Sequence, residues 1–344
     1  NNHKFDVLPV SIESLNFIKN RASANHLERE FAPRLDSSGT IFPDESSLRQ
    51  YQLDVLNSWE SCGRKGIVKH ATGSGKTFTA LFAMRRHLSE GGICLVIVPS
   101  RLLLQQWNIE ISKIIPGVKN RILNVGAGHS LWKKNLWTFS KPSSSRPARI
   151  IVAIADSAKT DAFLDNLNGG DHLMVISDEV HRLGSSQNSL ILNKLESGAR
   201  LGLSATPERF MDPLGTERIF DYFGGILEPI YELKDAIGKA LVPYDYYPTQ
   251  CVLTEDELDR WVELSTVINK LCASCKVNSN GELIPSDFLK LKLIERARIA
   301  KQAENKVSLT RKVLVENFHA GEKWLVYCDS TKQMSDIAES LDSM

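Results

Sequence analysis

The run His70-Ala71-Thr72-Gly73-Ser74-Gly75-Lys76-Thr77 places two glycines, an amine and a hydroxyl in the order that cradles a polyphosphate. Gly73 and Gly75 let the backbone turn tightly around Ser74 and aim its N–H groups at phosphate oxygens. A helix starting near Lys76 presents its positive end to the same oxygens. Lys76 would reach the β and γ phosphates of ATP, and Thr77 would coordinate Mg²⁺. The strict GxxxxGK[ST] pattern needs glycine at position 70, where this chain has histidine. The shorter run from Thr72 to Thr77 keeps its meaning because an apolar strand-like segment precedes it and a helical pattern follows.

Further along, Asp178-Glu179-Val180-His181 follows the apolar run Leu173 to Ile176. Carboxylates there emerge at the C-terminal end of a strand, where open α/β sheets bind ligands. Asp178 fits as the partner of Mg²⁺, and Glu179 as the base that polarises an attacking water. An acidic pair after a strand is weak by itself, since loop tips are often acidic for solubility. Its force comes from the phosphate loop upstream.

Both groups need a parallel sheet to hold them. Ile67 to Lys69, Cys94 to Val98, Ile150 to Ile154, Leu173 to Ile176 and Leu201 to Leu203 are continuous apolar runs of the kind buried on both faces. Between them, Lys76 to Leu88 and Leu102 to Ile115 carry apolar residues at helical spacing, and Pro116-Gly117 stops the second. The pattern is a doubly wound α/β domain over residues 45–232. Residues 1–44 carry no readable chemistry. Lys141 to Pro147 reads as a polar surface loop. Residues 233–318 read as a linker and a charged helical segment, and residues 319–344, through Trp324 to Cys328, as the opening strand of a second α/β domain.

The chain has 344 residues, enough for two domains, and its 42 Lys and Arg against 41 Asp and Glu give a net charge of +1. No global positive field marks a nucleic-acid binder, so any such surface is local. No apolar stretch is long enough to span a bilayer and no signal pattern opens the chain. The six cysteines are scattered, several in apolar runs, which suggests reduced, buried usage in a cytoplasmic or nucleoid setting. Cys272 and Cys275 lack the second pair or nearby histidine that a zinc site would need.

The combination resembles the superfamily 2 helicases and translocases, a family of P-loop NTPases with RecA-like domains. Ala71 to Thr77 is similar to their motif I, Asp178 to His181 to motif II, and Ser204-Ala205-Thr206 to motif III. Leu48-Arg49-Gln50-Tyr51-Gln52 resembles the element that reads adenine, which implies that Arg49 and Gln52 lie at the base and that Gln52 contacts it. Ala205 to Arg209, Gly215-Thr216, Tyr222 to Gly224 and Leu241 to Tyr244 resemble the XPB-like and type III restriction motor branch.

That resemblance implies an ATP- and Mg²⁺-dependent motor acting on nucleic acid, DNA rather than RNA, with protein partners in repair, restriction or antiphage defence. His181, Ser204 and Thr206 would couple the nucleotide to the polymer. Ser100-Arg101, similar to motif Ia, and Ser157 with Lys159, similar to motif Ib, would donate to phosphates. Each of these four could instead be an ordinary loop residue, and Ser204 and Thr206 could cap a strand end. The family completes its ATP site with arginines from a second RecA-like domain, and nothing after Ser330 supplies them here. These 344 residues alone are therefore expected to bind ATP and hydrolyse it poorly. An RNA helicase, or a nucleotide-dependent switch or scaffold subunit, are the alternatives.

Overall fold

Lys65–His70 (β1), Ile93–Val98 (β2), Ile122–Val125 (β3), Arg149–Ile154 (β4), Gly170–Asp178 (β5), Ser197–Ser204 (β6) and Ile226–Tyr231 (β7) hydrogen-bond into one sheet. Their order is β3-β4-β2-β5-β6-β1-β7, and every adjacent pair is parallel. The computed structural model describes residues 34–35, 41–115, 117–143, 149–277 and 283–342. Helices Gln50–Ser61 (α1), Lys76–Ser89 (α2), Arg101–Ile114 (α3), Trp132–Ser140 (α4) and Pro213–Phe223 (α5) accompany the strands.

The continuous apolar runs are explained by two cores rather than one. Along β2, Cys94, Val96 and Val98 join a cluster with Val55, Leu81, Phe82 and Trp107 from α1, α2 and α3. Ile93, Leu95 and Ile97 face the other side, into a cluster with Trp132, Leu136, Ile219 and Phe223 from α4 and α5. Side chains alternate along a strand, so a strand covered on both faces must be apolar at every position. The five expected strands are all present. The architecture is the expected RecA-like α/β sheet.

Two strands escaped the sequence pattern, and both are the edges of the sheet. β3, Ile122-Leu123-Asn124-Val125, alternates between partly and fully buried residues. β7 contains Pro229, which cannot donate to a ladder and is tolerated at an edge.

The chain divides into two compact units. One holds the sheet, with the described residues up to Arg209 and Gly215–Val242; the other holds Phe210–Leu214 and the described residues from Pro243 onward. The second unit contains the helices Glu255–Ala273 (α6), Asp287–Lys301 (α7), Asn305–Asn317 (α8) and Thr331–Asp342 (α9). A short antiparallel pair, Lys276–Val277 with Leu283–Ile284, lies between α6 and α7.

The expected strand from Trp324 to Cys328 is corrected. These residues form no strand, and Leu325 and Tyr327 are 74% and 88% exposed. A strand needs a neighbour for its N–H and C=O groups, and among the described residues none pairs with this segment. Of the six cysteines only Cys94 is buried, which corrects the expectation of buried usage. Among the described residues no helix is long and apolar enough to cross a membrane, and no cluster of three or more metal-ligating side chains occurs. Pro116, most of the polar loop before β4 and nearly all of residues 1–44 lie outside the described residues.

Candidate nucleotide-binding site

Register alone assembles the site. Lys69 on β1 pairs with Ser204 on β6, and Leu203 on β6 pairs with Asp178 on β5. Three neighbouring strands therefore end at one level, carrying the glycine-rich loop, Ser204 and the acidic pair side by side.

Gly73 and Gly75 adopt φ of 81° and 86°, in the left-handed region that favours glycine. A Cβ at Gly75 would lie 2.6 Å from Gln52 Nε2, so another residue there would be strained in its backbone and would push the Gln52 amide aside. The helix begins at Lys76, as expected. Lys76 Nζ donates to the carbonyls of His70 (2.9 Å) and Ala71 (3.1 Å). Burial lowers the Lys76 pKa, and the carboxylates of Glu179 and Asp178 pull it back up. Ser74 Oγ is buried and has no hydrogen-bond partner among the described residues. A helix N-terminus, a half-buried amine near two carboxylates and an unpartnered buried hydroxyl in the loop fit a triphosphate with its cation. Thr72 and Gly73 are exposed at the loop, Thr77 is half-buried in the first turn of α2, and Asp178 closes β5.

Helix α1 braces the loop from behind. Gln52, 4% exposed, accepts the Arg49 N–H (2.9 Å) and donates through Nε2 to the carbonyls of Ser74 (3.2 Å) and Gly75 (3.3 Å). Both amide hydrogens of Gln52 are thus engaged, and reading adenine with a donor and an acceptor would require it to release the loop. Arg49 is exposed beside it. Tyr51 donates its hydroxyl to the Ser74 carbonyl (2.6 Å) and stacks on Tyr231 with ring centroids 3.9 Å apart. His70, the departure from the strict loop pattern, bonds the Pro229 carbonyl through Nε2 at 2.9 Å and is 1% exposed. Burial lowers its pKa. Leu241 approaches the loop at Gly73, where a Cβ would come within 2.5 Å of it.

The acidic pair is held in a defined posture. Asp178 Oδ2 accepts the Trp107 indole N–H at 2.9 Å, and Oδ1 accepts the Glu179 N–H at 3.1 Å. Glu179 itself takes a left-handed backbone, with φ 49° and ψ 52°. His181 Nδ1 lies 3.5 Å from Glu179 Oε2 and 3.1 Å from Ser204 Oγ, which accepts the Thr206 N–H at 3.1 Å. Burial lowers the His181 pKa, opposed by Glu179 and reinforced by Arg182 and Arg209. The sequence singled out Glu179, His181, Ser204 and Thr206 separately, and the structure connects them.

The four residues expected to hold phosphates of a polymer differ in what already occupies them. Ser100 Oγ caps α3 by accepting the Leu103 N–H at 3.3 Å. Arg101, at the first position of α3, is exposed. Lys159 pairs with Asp156 at 2.6 Å. Ser157 Oγ sits against Gly126, where a Cβ would come within 2.5 Å of it. The sequence reading missed Trp107 and Tyr231, and it placed Tyr51 and Leu241 in motifs without foreseeing their contacts with the loop. Trp107 and Tyr231 lie in ordinary apolar patterns, and no spacing rule singles them out.

Residues 45–209 match the profile of the family described as type III restriction enzyme, res subunit. Over 319 residues the chain is 26% identical to the DNA 3'-5' translocase XPB2 of Sulfurisphaera tokodaii, covering 87% of this chain and 64% of that protein. It is 29% identical over 203 residues to a putative DNA 3'-5' helicase Rad25 of Halobacterium salinarum, covering 54% of this chain and 30% of that one. It is also 32% identical over 138 residues to a putative ATP-dependent RNA helicase QP509L of African swine fever virus, 40% of this chain and 24% of the other. The chain thus spans less than two thirds of the length of each of these relatives.

Proposed function

We propose, for a chain whose residues 45–209 are a superfamily 2 motor domain of the type III restriction enzyme res-subunit family, that the whole protein couples ATP hydrolysis to movement along, or remodelling of, double-stranded DNA. The observation that carries this reading is the joining of the site's parts. The phosphate loop, the acidic pair and Ser204 end three adjacent strands; Asp178 accepts the Glu179 N–H, the Glu179 carboxylate lies 3.5 Å from His181 Nδ1, and hydrogen bonds join His181 to Ser204 and Ser204 to Thr206.

In this reading the loop N–H groups of residues 72–77 and the Lys76 amine hold the phosphates, with Thr77 and Asp178 holding Mg²⁺. Bound there, the cation would neutralise charge on the β and γ oxygens. Glu179 takes the proton of the attacking water. Gln52 and Tyr51 keep the loop in its receiving shape, and Arg49 lies exposed at the same edge. His181, Ser204 and Thr206 pass the nucleotide state toward the polymer, which Arg101, Ser100, Ser157 and Lys159 would meet through its phosphates. The DNA assignment rests on the named relatives that act on DNA, of which the first matches most of this chain.

The test is ATP turnover by the full-length protein with no polymer, single-stranded DNA, duplex DNA and RNA, alongside Glu179→Gln. Duplex DNA is expected to stimulate most, and the substitution to lower turnover by about 10²- to 10⁴-fold, the usual contribution of a general base. Stimulation by RNA alone would transfer the protein to RNA remodelling. Turnover indifferent to polymer would leave a nucleotide-dependent switch.

A further inference from the structure

Trp107 is 1% exposed on α3, packed among Leu104, Ile111 and the strand residues Val96 and Val98. Its apolar ring suits that core, but its N–H does not, because a buried donor left unpaired is costly. The partner it finds is neither a backbone carbonyl nor a structural hydroxyl. It is Oδ2 of Asp178, at 2.9 Å.

The other oxygen of the same carboxylate accepts the Glu179 N–H at 3.1 Å. With one donor on each oxygen, rotation of the carboxylate about its terminal bond is fixed, and each oxygen keeps a further lone pair for a cation or its water. Partners that orient a metal ligand in this way are worth about 10- to 100-fold in metal affinity. Ser177, the neighbour on β5, does not bond the Asp178 carboxylate: its hydroxyl is buried without a hydrogen-bond partner among the described residues.

We propose that Trp107 is a positioning residue for the cation site: its indole N–H sets the Asp178 carboxylate in the orientation that receives the Mg²⁺ of bound nucleotide. The inference rests on the nucleotide-binding reading of the loop and the acidic pair. It assigns work to a residue on a helix that carries none of the loop or carboxylate chemistry. Because α3 begins at Arg101, the same helix that would meet a polymer also holds the cation ligand.

The experiment is binding of a fluorescent N-methylanthraniloyl ATP to the full-length protein, titrated with Mg²⁺ and repeated in EDTA. Trp107→Phe keeps most of the packing and removes the donor. The expected result is a Mg²⁺ half-saturation raised about 10- to 100-fold, with metal-free nucleotide affinity within about 2-fold of the parent. In an Asp178→Asn background the same substitution should add nothing further, since the two act as one unit.

Should Trp107→Phe unfold, 3-benzothienylalanine placed at position 107 keeps the bicyclic shape and replaces N–H by sulfur, and the same shift is expected. An unchanged Mg²⁺ curve, or equal loss of affinity with and without metal, would make Trp107 a core residue only and overturn the proposal. Failure of the unsubstituted protein to bind the analogue at all would instead remove the nucleotide-binding reading, and the proposal with it.

Discussion

His181 Nδ1 and Ser204 Oγ meet at 3.1 Å, joining the turn after β5 to the end of β6. Burial lowers the His181 pKa, which favours a neutral ring near pH 7. A neutral imidazole protonated at Nε2 takes the Ser204 O–H at Nδ1, leaving the hydroxyl oxygen to accept the Thr206 N–H at 3.1 Å. Glu179 Oε2 lies 3.5 Å from the same Nδ1, so a change in what Glu179 holds is felt at Ser204.

Ser204→Ala removes the shared hydroxyl and leaves both His181 and the Thr206 N–H without it. Polymer-stimulated turnover is expected to fall by roughly 5- to 150-fold, the range of ordinary coupling free energies, while nucleotide is still bound. The measurement is the ratio of turnover with and without duplex DNA. A ratio equal to that of the unsubstituted protein would reduce Ser204 to a strand-end cap.

Gln52 carries a prediction that separates bracing from base reading. Gln52→Ala removes the Nε2 donor to the carbonyls of Ser74 and Gly75, which keep Tyr51 and Thr79 as donors, and takes the side-chain acceptor from the Arg49 N–H, so the loop loses its tie to α1 at this point. Affinities for ATP and GTP are expected to weaken together, because what is lost is the shape of the loop. Selective loss of ATP affinity in a panel of nucleoside triphosphates would instead give Gln52 the adenine contact that the motif implies.

How much of this was legible in sequence follows from the reach of each signal. The loop from Thr72 to Thr77 and the pair Asp178-Glu179 are local, since their residue types sit within a few positions and announce their chemistry. The strands under them are legible because both faces are covered, leaving uninterrupted apolar runs such as Cys94 to Val98. Edge strands such as β7, with Pro229, lose that signature on the open side. Contacts between distant segments are not legible. Trp107 meets Asp178 and Tyr51 stacks on Tyr231 only because the strand order brings β5 beside β2 and β7 beside β1. The segment from Trp324 to Cys328 shows the opposite failure, an apolar run that reads as a strand and has no neighbour to pair with among the described residues.

Two buried histidines set an acid limit on stability. His70 and His87, 1% and 6% exposed, both have pKa values lowered by burial from the ordinary 6.5. Their folded values lie below the unfolded one, so the unfolded chain takes up protons first as pH falls. Their contribution is complete above pH 6.5 and is lost on going down through the folded pKa values, by at most about 1.4 kcal/mol per pH unit for each ring. Urea midpoints should be level above that pH and decline below it, and His87→Gln should show a shallower decline. A profile that is flat through the acid range would contradict the buried neutral state of both rings.

The polymer-facing residues differ in a way that salt can resolve. Arg101 is exposed at the start of α3, so a phosphate it meets would release a counterion when it binds. Lys159 already has Asp156 at 2.6 Å, and a phosphate there must first displace that carboxylate, which offsets much of the gain. Arg101→Ala is therefore expected to lower the slope of log affinity against log salt for duplex DNA by about 1, uniformly across sequences. Lys159→Ala should change the slope by distinctly less, and Asp156→Asn should raise affinity by freeing the amine. Equal slopes for Arg101→Ala and the unsubstituted protein would place the duplex on another face of the sheet unit.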